Sequence, residues 1–164
     1  MSLQKLVPVK VPWKITSATP FLTVRVAEFE PEMVSFIALF NTTNGMVERR
    51  VTVTFNEIVL IGLRTGNESP PIDESEYDWS NTLQGRQQNG NFDLKYEEFE
   101  REWISSGYCP DPHMYKVLNS KWTIPYGNNI GMDYTHYLFV GEMTCMDVLA
   151  KGWKWEAGDI IDWK

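Results

Sequence analysis

The chain has 164 residues with an ordinary globular balance of apolar and charged side chains, so we predict one domain over residues 1–164 with a self-sufficient core. Its formal net charge of −7 would repel a phosphate backbone, which excludes nucleic acids from the expected partners. No stretch approaches the roughly 18 consecutive apolar residues of a membrane span, so we expect no membrane partner either.

The first third of the chain reads as strands. Residues 21–29 alternate between apolar and polar or small side chains, the period of a half-buried strand. Residues 34–40 form a nearly continuous apolar run, which is typical of a strand covered on both faces. Asn44-Gly45 follows and predicts a tight hairpin turn, because both residues tolerate positive φ.

The return strand of this hairpin starts near Arg49 and changes its apolar pattern at Asn56. Either a bulge shifts the phase there, or one long strand passes from an exposed region into a covered one. We favour the second interpretation, because a long strand is often covered over only part of its length.

Residues 65–91 lose all periodicity and form an acidic, irregular insertion, a kind of segment that tends to be functional or disordered. The stretch from Asn67 to Glu102 holds ten acidic and three basic residues. Its net charge of −7 equals that of the whole chain. Such a segment attracts a basic protein, although a solvated face that keeps the protein soluble is the alternative. The predicted partner-binding residues are Glu74, Glu76, Asp78 and Trp79.

One helix is predicted over residues 93–105. Four rings recur there at steps of four, three and four residues, which places them on one face that packs on a sheet. Gly107 is suited to end the helix. The ring-bearing residues are Phe92, Tyr96, Phe99 and Trp103.

The carboxyl-terminal third predicts further strands at 113–119, 134–143 and 145–155. The predicted fold class is therefore all-β, a mostly antiparallel sandwich of about seven or eight strands with one amphipathic helix packed on one side. A curved α+β sheet with the helix across its concave face is the alternative.

Both cysteines and both histidines lie in this last third. Cys109, His113, His136 and Cys145 are candidate zinc ligands by chemistry, but their spacing matches no usual zinc pattern, so we predict no metal and no cofactor. A Cys109 nucleophile is disfavoured, because it follows the end of a helix and not its start. Two cysteines are too few for a disulfide framework, and we expect a cytoplasmic protein with reduced thiols and no secretory signal.

A pattern over about fifty residues of this region resembles one found in small uncharacterised bacterial proteins. Some of those proteins resemble immunity factors, which are acidic single domains that bind and block a toxin. The resemblance implies a class of protein and no catalytic residue. Its positions are Asp111-Pro112, Tyr115, Val117, Ser120, Trp122, His136-Tyr137, Gly141 and Val148-Leu149-Ala150.

The leading functional hypothesis is a non-enzymatic binding protein that uses its acidic segment against a basic protein partner, as an immunity-type inhibitor does. The alternative is a small-ligand or carbohydrate-binding sandwich module, and a hydrolase is the third option. A concave pocket of several hundred cubic ångström lined by rings favours the ligand hypothesis, whereas a convex acidic surface favours the partner hypothesis.

Overall fold

The computed structural model describes residues 3–16, 22–25, 32–65, 73–87, 92–123, 134–142 and 144–164. The strands within this part of the chain are β1 (Gln4–Pro8), β2 (Trp13–Ile15), β3 (Thr23–Arg25), β4 (Met33–Thr42), β5 (Gly45–Phe55), β6 (Ile58–Thr65), β7 (Tyr77–Asp78), β8 (Met114–Leu118), β9 (Thr135–Val140), β10 (Thr144–Ala150) and β11 (Trp153–Ile160). The helices are α1 (Leu83–Gln87) and α2 (Phe92–Ser106), and a 3-10 turn spans Glu74–Glu76.

The strands form two sheets. A six-stranded sheet has the order β6-β10-β9-β8-β1-β7, and a five-stranded sheet has the order β11-β5-β4-β2 with β3 beside β4. Every pair is antiparallel except β1 with β7. The predicted fold class, mostly antiparallel β with one amphipathic helix, is confirmed.

The main core lies between the two sheets. The ring of Phe139 on β9 is 6.1 Å from that of Phe36 on β4 and 6.0 Å from that of Phe55 on β5. Burial of a large apolar side chain of this kind contributes about 1.5–3 kcal/mol. Aromatic residues of the predicted strands are thus among the side chains that join the two sheets.

Two chain crossings connect the sheets at one corner. β5 leads into β6 through Asn56 and Glu57, and β10 leads into β11 through Lys151 and Gly152, so each pair of consecutive strands is divided between the sheets. The Asn56 N–H donates to the Gly152 carbonyl over 2.9 Å, and the Lys151 N–H donates to the Glu57 carbonyl over 3.1 Å. The expectations of one long strand through Asn56 and of one strand over 145–155 are therefore wrong.

The hairpin predicted at Asn44-Gly45 is confirmed. Gly45 has a φ of +105° and closes the β4–β5 turn opposite Thr42. The Thr42 hydroxyl donates to the Gly45 carbonyl over 2.7 Å. A glycine suits this position because it has no Cβ and so adopts a positive φ without a steric penalty.

Helix α2 confirms the predicted amphipathic helix. Phe99 and Trp103 are buried in a small cluster with Cys109, against Leu39 of β4. The Trp103 indole N–H donates to the Pro12 carbonyl over 3.1 Å, which ties the helix to the segment before β2. The helix ends at a left-handed Gly107, as predicted, with φ +73°. Tyr96 is 43% exposed, and the side chain of Phe92 lies outside the described residues.

Residues 73–87 contain the 3-10 turn, α1 and β7, which is the edge strand of the six-stranded sheet. The rings of Tyr77 and Trp79 from this segment cover part of the outer face of the sheet. The predicted irregular insertion thus holds regular elements, while 66–72 and 88–91 lie outside the described residues. A second cluster forms under this cover, and it consists of Leu6, Tyr77, Tyr115, Val117, Leu138, Val140 and Cys145 with Trp79 packed against it.

Candidate functional site

The predicted partner-binding residues lie together in one segment, residues 73–79, here called the acidic turn. Asp73 caps its 3-10 turn, since its carboxylate accepts the Ser75 N–H over 3.0 Å. Hydrogen bonds from the Ser75 hydroxyl and the Ser75 N–H lower the pKa of Asp73. Hydrogen bonds from Ser80 likewise lower the pKa of Asp78. Both carboxylates therefore keep their charge well below neutral pH.

The carboxylates of Glu74 and Glu76 are displayed at the surface. No residue of the 3-10 turn is buried. Glu76 lies 3.6 Å from the Lys121 ammonium, and the side chains of that pair are 41% and 50% exposed. An exposed pair of this kind contributes little to stability, so neutralising Glu76 leaves the fold intact.

Trp79 anchors the acidic turn to the scaffold. Its ring is half-buried and packs edge-on against Tyr77 at 6.2 Å and Tyr115 at 6.3 Å. Its indole N–H donates to the Glu74 carbonyl over 3.0 Å, which closes the turn on itself. The part of Trp79 in binding a partner stays a prediction.

Asp111 fixes the chain that follows the turn. This buried carboxylate accepts the Leu83 N–H at the start of α1 over 2.6 Å and the Tyr115 hydroxyl over 2.5 Å. The Asn81 amide adds a hydrogen bond to the Leu6 carbonyl of β1 over 3.2 Å. Asp111 and Tyr115 belong to the sequence pattern noted above, and their structural role is to hold residues 79–83 on the sheet.

Helix α2 adds further surface acids. Glu97, Glu98 and Glu102 are exposed. Glu98 pairs with Lys95 at 3.5 Å and Glu102 pairs with Arg86 of α1 at 2.9 Å. The second pair joins α2 to the segment that carries the acidic turn.

The four candidate zinc ligands are not gathered into one site. Within the described residues no group of three or more His, Cys, Asp or Glu side chains is placed to hold an ion. Cys109 packs below α2, whereas Cys145 belongs to the cluster on the outer face of the six-stranded sheet. Burial raises the pKa of each thiol to about 12, so both are protonated and weakly nucleophilic at neutral pH.

His113 lies at a bend with φ +62°, and burial, followed by the Lys14 charge, lowers its pKa to about 4. His136 instead belongs to a buried polar cluster that the sequence did not predict. Its Nδ1 lies 2.6 Å from the Ser120 hydroxyl, and its Nε2 lies 2.8 Å from Asp147. All three side chains are buried.

Arg64 and Trp122 complete this cluster. The Arg64 guanidinium donates to the second Asp147 oxygen over 2.7 Å. The Trp122 ring stacks on the His136 ring with centroids 5.0 Å apart and an interplanar angle of 5°. Gly62 of β6 makes room for this ring, since a Cβ there would lie 2.6 Å from the Trp122 Cη2.

The order Ser120–His136–Asp147 has the composition of an acyl-transfer triad. The Asp147 carboxylate can only accept, so the His136 Nε2–H donates a hydrogen bond to it, and the tautomer with its proton on Nε2 has Nδ1 as an acceptor for the Ser120 hydroxyl. That hydroxyl also accepts a hydrogen bond from the backbone N–H of Trp122 over 3.0 Å, and Ser120 is 1% exposed. The hydroxyl is thus enclosed and satisfied, and the cluster joins β6, β9 and β10 to the turn at Ser120.

One signal in the sequence could have pointed to this cluster, although no prediction above was based on it. His136 and Asp147 lie in strands that are otherwise apolar, and a buried ionisable group requires a buried partner. The partners themselves are 11 and 16 residues from His136, so no local pattern identifies them.

Comparisons with known proteins add no assignment: no family model, no curated protein and no solved structure matches this chain. Among the helices of the described residues, none is long and apolar enough to cross a membrane.

Proposed function

We propose that this protein acts by binding, and that its acidic turn docks on a basic surface of a partner protein. The observation that carries the proposal is that the exposed carboxylates of Glu74 and Glu76 stand on a segment fixed to the sheet by the half-buried ring of Trp79. A face that serves only solubility needs no such anchor.

The energetic argument concerns preorganisation. Ordering the backbone of one residue costs about 1–2 kcal/mol, so a flexible acidic loop loses much of its binding energy when it is immobilised. Hydrogen bonds of Asp73, Asp111 and Asn81 already hold the turn in the folded protein. The entropy cost of ordering the turn therefore falls on folding and not on binding. The turn then presents its charges in one arrangement, which favours specificity and a fast association rate.

Binding without catalysis is part of the same proposal. The support for it is chemical: the Ser120 hydroxyl is enclosed, and the raised pKa values of Cys109 and Cys145 leave both thiols protonated. Both cysteines are free, which fits the reducing cytoplasm. The sequence pattern resembles one in small uncharacterised bacterial proteins, some of which resemble immunity factors, and this supports a toxin as the kind of basic partner that the turn blocks.

The test uses two variants with the same change of charge. The first neutralises the acidic turn by Glu74→Gln, Glu76→Gln and Asp78→Asn, which keep the Asp73 cap and leave an acceptor for the Ser80 N–H. The second neutralises Glu156→Gln, Asp159→Asn and Asp162→Asn, exposed residues on and after β11.

Immobilised wild-type protein and both variants are used to capture proteins from an extract of the source cells, and any captured protein is then purified for a binary binding measurement. We expect a basic partner whose affinity falls about tenfold for the turn variant, since three rim charges contribute together about 1–2 kcal/mol, and changes little for the β11 variant. Equal affinity for both variants contradicts the proposal.

A further inference from the structure

A groove of about 560 Å³ runs along β1 toward the end of α2. Apolar surface comes from Pro8 of β1, from Val9 just after it and from Leu118 of β8. Ser106, the last residue of α2, and Tyr108 after the helix also line the groove. Tyr108 is 50% exposed. This volume lies within the roughly 300–1,000 Å³ that is typical of small-molecule sites.

The groove exists because β1 has a partner on one side only over most of its length. β7 pairs with β1 at Gln4 and Lys5 alone, and at Leu6 a side-chain amide from Asn81 takes the place of a strand. Val9 donates its N–H toward β8, so the backbone of Pro8 faces the groove. Pro8 has no N–H to offer, so an added peptide strand cannot complete a ladder there.

The charge of the groove is opposite to that of the protein. Lys5, Lys10 and Arg86 line it, together with one carboxylate, Glu102. Arg86 and Glu102 pair at 2.9 Å, whereas neither lysine forms an ion pair within the part of the chain that the structure describes. Lys5 lies opposite Asp78 in the β1–β7 pair, and its charge is partly compensated by that carboxylate. Lys10 and the partly compensated Lys5 together create a local positive potential beside the apolar surface.

We propose that this groove binds a small organic anion, with a carboxylate or phosphate group attracted by Lys5 and Lys10 and an apolar body packed on Pro8, Val9 and the Tyr108 ring. The lysine stems extend the apolar surface while their charges remain in water. The groove borders the acidic turn at Lys5, which lies opposite Asp78, but small probes test it independently of the proposed partner.

The probes are 1-naphthoate, 1-naphthyl phosphate, neutral 1-naphthalenemethanol and inorganic phosphate, each titrated into ¹⁵N-labelled protein. We expect saturable shifts of the amides of residues 5–7, 9 and 10 and of Tyr108 with at least one naphthyl anion, at a Kd below about 1 mM. The neutral alcohol and inorganic phosphate bind at least severalfold more weakly, since each lacks one of the two recognised features. The tighter of the two anions identifies the head group.

Three variants locate the interaction. Lys5→Gln with Lys10→Gln weakens binding about tenfold, Tyr108→Ala weakens it severalfold, and the control Lys154→Gln on β11 leaves it unchanged. All four residues are exposed, so the fold tolerates these changes. Absence of saturable shifts with both anions, shifts confined to another surface, or equal affinity of the double lysine variant overturns the proposal.

Discussion

Replacement of Asp147 by Asn tests the buried polar cluster, because it removes one charge at nearly constant volume. Asp147 is the acceptor for both His136 at 2.8 Å and Arg64 at 2.7 Å, and its side chain is 4% exposed. An amide offers one acceptor and turns its NH₂ group toward the other donor. The variant therefore loses at least one charge-assisted hydrogen bond and leaves a donor unpaired.

The magnitude follows from these contacts. A hydrogen bond to a charged group contributes about 1.5–3 kcal/mol, and breaking a fully buried ion pair costs about 3–5 kcal/mol. The Arg64 side chain is 32% exposed, so water screens part of the loss. We expect Asp147→Asn to lower the free energy of unfolding by about 2–3 kcal/mol.

Urea unfolding followed by tryptophan fluorescence measures this change. With an m-value of about 2 kcal/mol/M, the midpoint falls by about 1 M or more. Asp159→Asn, at an exposed carboxylate on β11, is the matched control and changes stability by less than about 0.5 kcal/mol. A double-mutant cycle with Arg64→Met isolates the pair, and a loss below about 0.5 kcal/mol for Asp147→Asn refutes the reasoning.

Three further predictions concern Gly62, His113 and the two cysteines. Gly62→Ala places a Cβ 2.6 Å from Trp122, so we expect a loss of about 1–3 kcal/mol and a changed near-ultraviolet circular dichroism spectrum; unchanged values contradict the stacked arrangement. Because the folded-state pKa of His113 is lowered to about 4 from 6.5, the unfolded chain binds the proton more readily as pH falls between these values, and stability is lost across that window. His113→Asn tolerates the positive φ and should reduce the stability difference between pH 7 and pH 4.5 by about 1–2 kcal/mol in urea titrations, whereas an identical pH dependence rules the effect out. Cys109 and Cys145 should react with a thiol reagent at pH 8 only as fast as the protein opens, so labelling at the rate of a free thiol in the folded state disagrees with their burial.

Local sequence patterns predicted much of the fold. The Asn44-Gly45 hairpin, helix α2 and the left-handed Gly107 each depend on residues close in sequence, and all three are observed. The sheet crossings at Asn56 and Gly152 were missed for the same reason. A strand that changes sheets keeps its local apolar pattern, and only the pairing of distant strands distinguishes it from one continuous strand.

In the candidate site, too, the sequence shows features carried by neighbouring residues and does not show contacts between distant ones. The acidic residues of the turn were visible as a charge excess, whereas the anchoring role of Trp79 depends on Tyr115, which lies far along the chain. The Ser120–His136–Asp147 cluster is likewise assembled from separate segments. Its residues carried a weak signal as polar positions in apolar strands, but the sequence does not show which groups satisfy them.

The most direct test of the central claim is the salt dependence of partner affinity for wild-type protein and for the variant neutralised at Glu74, Glu76 and Asp78. We predict that raising NaCl from about 50 to about 500 mM weakens wild-type binding at least tenfold, and that the variant binds more weakly at low salt and depends less on salt. The same affinity and the same salt dependence for both proteins contradict a charge-guided role for the acidic turn.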